Sequence, residues 1–138
     1  VLAEAVLPYA VQLAGVFNAE IQLVRVVGVG DAAGMLWMMP EVIEQLVRES
    51  DDYLGAVAKR LRDEGQRVTT KTLIGFPATE ILAYEQDTKP DLVVMATHGR
   101  GGLNRLVFGS IAERVLQAGT APVLMVRPHG EVMTETVP

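Results

Sequence analysis

Residues 91–127 read DLVVMATHGRGGLNRLVFGSIAERVLQAGTAPVLMVR. Two compact apolar runs, 91–96 (DLVVMA) and 122–127 (PVLMVR), have the length and composition of buried strands. Between them lie a glycine-rich stretch and a helical segment. Ser110 and Glu113 have the S-x-x-E spacing of a capping box, which predicts a helix running through Leu116 and ending near Gly119. A strand, a helix and a second strand in this order imply a right-handed crossover between parallel neighbours.

The same alternation extends back along the chain. Residues 20–27 (EIQLVRVV) and 67–74 (RVTTKTLI) are two further strand candidates. Leu2, Val6, Tyr9 and Leu13 form a stripe along one helix face, and Pro8 within it should bend that helix or limit its first turns. Residues 41–64 predict the longest helix, with Ile43, Leu46, Val47, Leu54, Val57 and Leu61 on one face and Gly65 as its stop. Pro77 opens another helix containing Ile81 and Leu82. The order is α-β-α-β-α-β-α-β, so the expected fold class is α/β: a doubly wound parallel sheet in a three-layer α/β/α arrangement. A doubly wound domain normally begins with a strand, and this series begins with a helix. The expectation is therefore a domain over residues 1–128 that lacks its first strand in this chain. Residues 28–40 are the longest irregular stretch, and 129–138 read as a flexible tail or linker.

Composition bounds the function. The 138 residues carry 12 Lys and Arg against 17 Asp and Glu, a net charge of −5 that argues against a general nucleic-acid binder. With no cysteine, disulfide scaffolds, thiolate metal sites and thiol catalysis are excluded. Hydrophobic residues make up 49% but aromatics only 5%, so the core must be aliphatic, as in buried parallel strands. No apolar run approaches the ~18–20 residues of a membrane span. The opening residues have no signal-peptide layout, and a cytoplasmic location is expected.

Chemistry concentrates in residues 95–111. Ligands of open α/β sheets bind beyond the carboxyl ends of the strands. Gly99, Gly101 and Gly102 would let backbone approach a ligand closely, and Gly109 leads into a helix whose first N–H groups form an anion site. Arg100, Arg105 and Arg114 face a single acid, Glu113, over residues 97–114, a local charge that suits a polyphosphate. Two readings of Ser110 stay open, an N-cap bonded within its own helix or a phosphate contact. His98 reads as a surface residue more than a catalyst. Trp37 with Met35, Met38 and Met39 would cover the core or form a partner surface, and Asp51 and Asp52 read as a solvated face. The loop has no Walker lysine, the dinucleotide-binding fingerprint fails at Asn104, and no nucleophile elbow surrounds Ser110. An enzyme is not expected, although slow turnover of a bound polyphosphate stays open.

The stretch resembles the universal stress protein family, whose nucleotide-binding members carry G-x2-G-x9-G-[ST] after a strand. Gly99, nine intervening residues, Gly109 and Ser110 match its second half, while Ala96 stands at the first glycine position. The flanks VVMATHGRGG and GSIAERVLQAGTAPVLMVRP are similar to the family's, as are AEAVLPYA, LVRVV and GFPATEI. The resemblance implies a sheet of five parallel strands, four of them supplied here, and a stress-response role. It implies ATP as ligand, with Mg as counter-ion. By position, Gly99, Arg100, Gly109 and Ser110 would hold phosphate or ribose. Ile111 would add its N–H, and Val26, Met95 and Ala96 would line the adenine and sugar side. The nucleoside-contacting aspartate that ends the family's first strand is absent here with that strand. The resemblance further implies a homodimer paired through strand 121–127. A nucleotide-free dimeric interaction module is the alternative, favoured by Ala96 and by the missing aspartate.

Overall fold

The computed structural model describes residues 2–28, 39–97 and 109–128. After a 3-10 turn at Leu2–Val6 the elements are α1 (Leu7–Phe17), β1 (Ile21–Gly28), α2 (Pro40–Asp63), β2 (Val68–Gly75), α3 (Pro77–Thr88), β3 (Val93–Ala96), α4 (Ser110–Ala118) and β4 (Val123–Val126). Each predicted element is present within a few residues of its expected bounds. Pro8 acts by limiting the first turns: the chain preceding α1 winds as a 3-10 turn, and the proline occupies the first α-helical turn, where a missing N–H costs nothing. Pro40 and Pro77 open α2 and α3 in the same way. Gly65, at φ 92°, turns the chain after α2 in a conformation that side chains rarely adopt.

The strands are parallel and form two pairs. β1 runs beside β2 from Ile21↔Val68 to Gly28↔Gly75, and β3 beside β4 from Val93↔Val123 to Ala96↔Val126. Among the described residues the pairs are not hydrogen-bonded to each other. The architecture is three layers, α/β/α. Alternation along β1 and β2 sends Ile21 and Val68 to one face, where they pack with Leu7 and Ala14 of α1 and with Val57, Ala58 and Leu61 of α2. The opposite face meets α3: a side chain at Gly28 would touch Pro77, and one at Gly75 would collide with Glu80. α4 lies beside α3. The core is aliphatic throughout, with Ala58 and Val115 fully buried.

Polar groups pin α2 across this core. Ser50 is 1% exposed, and its hydroxyl pairs with that of Thr72 on β2 at 2.9 Å. The Thr72 hydroxyl donates to Asp51 at 2.7 Å, which leaves Ser50 as donor in the first bond. Asp51 is exposed, as the solvated-face reading expects, and in addition ties α2 to β2. Asp52 is exposed as expected. A second polar cluster joins the start of the chain to α2, where Arg60 bonds Glu4 at 3.1 Å and the Arg25 guanidinium lies 5.0 Å from the centre of the Tyr53 ring. Partial burial and the negative Glu4 carboxylate push the Tyr53 phenol above its ordinary pKa, against the opposing pull of Arg25 and Arg60.

Two outcomes follow. Ser50→Ala should cost about 1 kcal/mol, because the Thr72–Asp51 bond survives while one buried hydrogen bond is lost; a denaturant midpoint unchanged from the parent would contradict the role given to Ser50. Because folding raises the Tyr53 pKa, that contribution is intact below pH ~10 and is lost as pH rises through the folded value. Melting temperature should therefore fall less steeply above pH ~10 in Tyr53→Phe than in the parent.

Candidate functional site

The crossover geometry fixes where a ligand can sit. In a parallel β-α-β unit the helix runs back against the strands, so the start of α4 lies at the same end as the carboxyl ends of β3 and β4. Ala96 and Met95 close β3 and are half-buried. Thr97, 7% exposed, follows them and donates its N–H to Val126 O at 2.8 Å, which extends the pairing to the last residue before the glycine-rich stretch.

Gly109 forms the other wall. It adopts φ 72°, ψ 151°, a conformation essentially reserved for glycine, and it is the N-cap of α4. Here the capping-box expectation is corrected. Ser110 is the first helical residue, not the cap, and among the described residues no side chain caps the helix. A residue with helical backbone angles cannot fold its hydroxyl onto the N–H groups two and three places ahead, as an N-cap does. Glu113 does not complete the box either: its carboxylate accepts a bond from Gln117 at 3.4 Å. The first bond of the helix is Glu113 N–H to Gly109 O at 3.0 Å, so the N–H groups of Ser110, Ile111 and Ala112 have no partner within the helix. Three donors without a partner among the described residues, the positive end of the helix dipole and an exposed Ser110 lie together there. Such an arrangement accepts an anion.

The predicted residues thus divide into three groups. Met95, Ala96, Gly109, Ser110 and Ile111 belong to one β-α-β unit, at the end where β3 finishes and α4 starts. Val26 is half-buried near the carboxyl end of β1, paired with Leu73 in the other strand pair. Gly99 and Arg100 lie outside the described residues, as do His98, Gly101, Gly102, Asn104, Arg105, Met35, Trp37 and Met38. Arg114 is exposed on α4, and Met39 is 50% exposed at the start of α2. Sequence reading passed over Thr97; its signal was its position between a strand and a glycine run. It also passed over Gly28 and Gly75, which let α3 begin close against the ends of β1 and β2.

Among the described residues no cluster of three or more His, Asp or Glu side chains could hold a metal ion. Two surface grooves occur there, one along Pro40, Ile43, Val47 and Ile74 and the other beside Glu85, Lys89 and Pro122. Neither contains a predicted site residue. No described helix is long and apolar enough to cross a membrane.

Known proteins share this architecture. A curated relative, Universal stress protein MJ0531 of Methanocaldococcus jannaschii, is 36% identical over 124 residues, covering 86% of this chain and 71% of that protein. The solved structure of MJ0577 superposes with a TM-score of 0.73 at 24% identity, over 92% of this chain and 90% of that one. A universal stress protein solved in complex with cAMP superposes with a TM-score of 0.58 at 17% identity, over 92% and 88% of the two chains. These structural likenesses speak for the fold. The sequence model of the universal stress protein family matches residues 2–127, nearly the whole chain, and to that family this chain belongs.

Proposed function

We propose that this domain binds an adenine nucleotide, ATP above all, with its phosphates at the start of α4. The observation that carries the reading is the helix N-terminus behind Gly109, where the N–H groups of Ser110, Ile111 and Ala112 have no partner within the helix or among the other described residues. Gly109, Ser110 and Ile111 would supply backbone donors and a hydroxyl. Ala96 and Met95 would border the sugar and base, with Val26 on the β1 side. Gly99 and Arg100 would complete the phosphate cradle in the family motif. The cAMP complex of a related protein supports an adenine ligand for this fold. Mg would accompany ATP as a counter-ion bound by the phosphates.

The role is regulation or sensing in a stress response, located in the cytoplasm. Binding, not chemistry, is its basis: the sequence offers neither a P-loop lysine nor a nucleophile elbow. A nucleotide acts by favouring the state that binds it better, which requires no turnover. The edge strand β4 is the surface on which such a state would be read, through pairing of residues 121–127 with a second copy. An apolar edge of this kind is a template for strand addition.

ATP titration against melting temperature tests the reading. At ~100-fold over the dissociation constant, ligand stabilises by about 2.7 kcal/mol, an upward shift of roughly 8 °C for a domain of this size. Gly109→Val should remove that shift, since valine cannot hold φ 72° without strain. An unmoved melting temperature at millimolar ATP would leave the nucleotide-free dimeric module as the better description.

A further inference from the structure

Glu85 lies in the last turn of α3 and is 4% exposed. Its Oε1 accepts the backbone N–H of Thr120 at 2.9 Å and of Ala121 at 2.8 Å. Its Oε2 has no hydrogen-bond partner among the described residues. Both oxygens press on Gly119, where an added Cβ would stand 2.8 Å from one and 2.9 Å from the other, and 2.7 Å from Val115 O. A glycine at 119 is thus the condition for the carboxylate to reach the chain.

The two amides it holds belong to the short lead-in to β4. Gly119 N–H closes α4 on Val115 O at 2.9 Å, and Pro122 has no N–H to offer. Pro122 O accepts the Val93 N–H at 2.9 Å, which ties the same lead-in to β3. Residues 119–122 are therefore clamped from two sides, by β3 through Pro122 and by α3 through Glu85. β4 itself has four residues and pairs on one side only among those described. So short a strand has little ladder of its own to fix its position, and its placement depends on where the lead-in is held. A carboxylate whose second oxygen has no partner among the described residues is costly to bury. What it adds is a fixed starting point for the edge.

We propose that Glu85 is a positioning residue for self-association: it fixes the β4 edge in the place from which a second copy of this chain pairs. The proposal rests on the dimer reading above and adds a residue that neither the nucleotide motif nor the strand contains. Light scattering and sedimentation of the full chain, with Glu85→Ala, Glu85→Gln and Arg62→Ala, separate the two. Arg62 bonds Val68 O at 2.6 Å and 3.1 Å, so its loss loosens the start of β2 instead. Glu85→Ala should raise the dimer dissociation constant at least ~10-fold. Glu85→Gln keeps a carbonyl acceptor and should stay within ~3-fold of the parent. Arg62→Ala should lower the melting temperature without changing the dissociation constant. If the alanine variant does not fold, Glu85→Asp, with its shorter reach, should show the same weakening. A parent chain that is monomeric at tens of micromolar overturns the dimer reading, and this proposal with it. A dimeric parent with unweakened Glu85→Ala, or with Arg62→Ala weakened equally, overturns the role of Glu85 alone.

Discussion

The parallel ladder of β1 on β2, eight residues long on each strand, decides the environment of everything packed around it. In such a ladder paired residues point to the same side, so one register assigns both strands' side chains to two faces at once. Ile21 with Val68 and Arg25 with Thr72 fall towards α1 and α2; Gly28 with Gly75 falls towards α3. A slip of one residue would turn Thr72 away from Ser50 and Asp51, and would bring bulk where α3 needs glycine. The Ser50–Thr72–Asp51 chain of hydrogen bonds is thus both a fastener and a register check, since it forms in one alignment only.

Within each parallel pair the carboxyl ends of the two strands lie at the same end. α2 and α4 must each run back along the sheet before the next parallel strand can begin. The start of α4 is delivered to the end of β3 by connectivity, before any ligand contact is considered. What turns this general feature into an anion site is local. Gly109 puts a residue without a side chain at the cap position, and among the described residues the donors of residues 110–112 have no partner.

The fold was legible because its signals are periodic and local. Apolar runs bounded by Gly and Pro marked β3 and β4, and Pro8 and Pro77 act at helix starts through geometry that any context obeys. The site was legible in outline, as a glycine spacing followed by a serine. Its capping was misread at Ser110, because S-x-x-E describes a spacing and does not reveal which residue leaves helical angles first; Gly109 does so here. The bond from Thr72 to Asp51 was not legible, because the two are distant in sequence and become neighbours only through the β2 register. Glu85 gave no signal at all. A glutamate in a helix with a low apolar contrast looks solvated, and only the approach of Gly119 from 34 positions away buries it.

Helix α4 connects these observations. Its first turn holds the donors that no bond within the helix uses and its last turn meets the loop that Glu85 clamps, with nine residues between Ser110 and Ala118 inclusive. A helix of that length spans about 13 Å and cannot stretch or compress without breaking its own hydrogen bonds. Ala112 and Val115, both buried, fix its rotation against the neighbouring layer, so close packing resists independent movement of either end. A ligand that repositions the first turn must therefore displace the helix as a unit or not at all. The displacement would meet the Glu85 clamp before it reached β4. For a regulatory nucleotide, the stiffness of that clamp then sets how much of the binding energy reaches the pairing edge, because a ligand shifts an equilibrium only by its differential affinity for the two states.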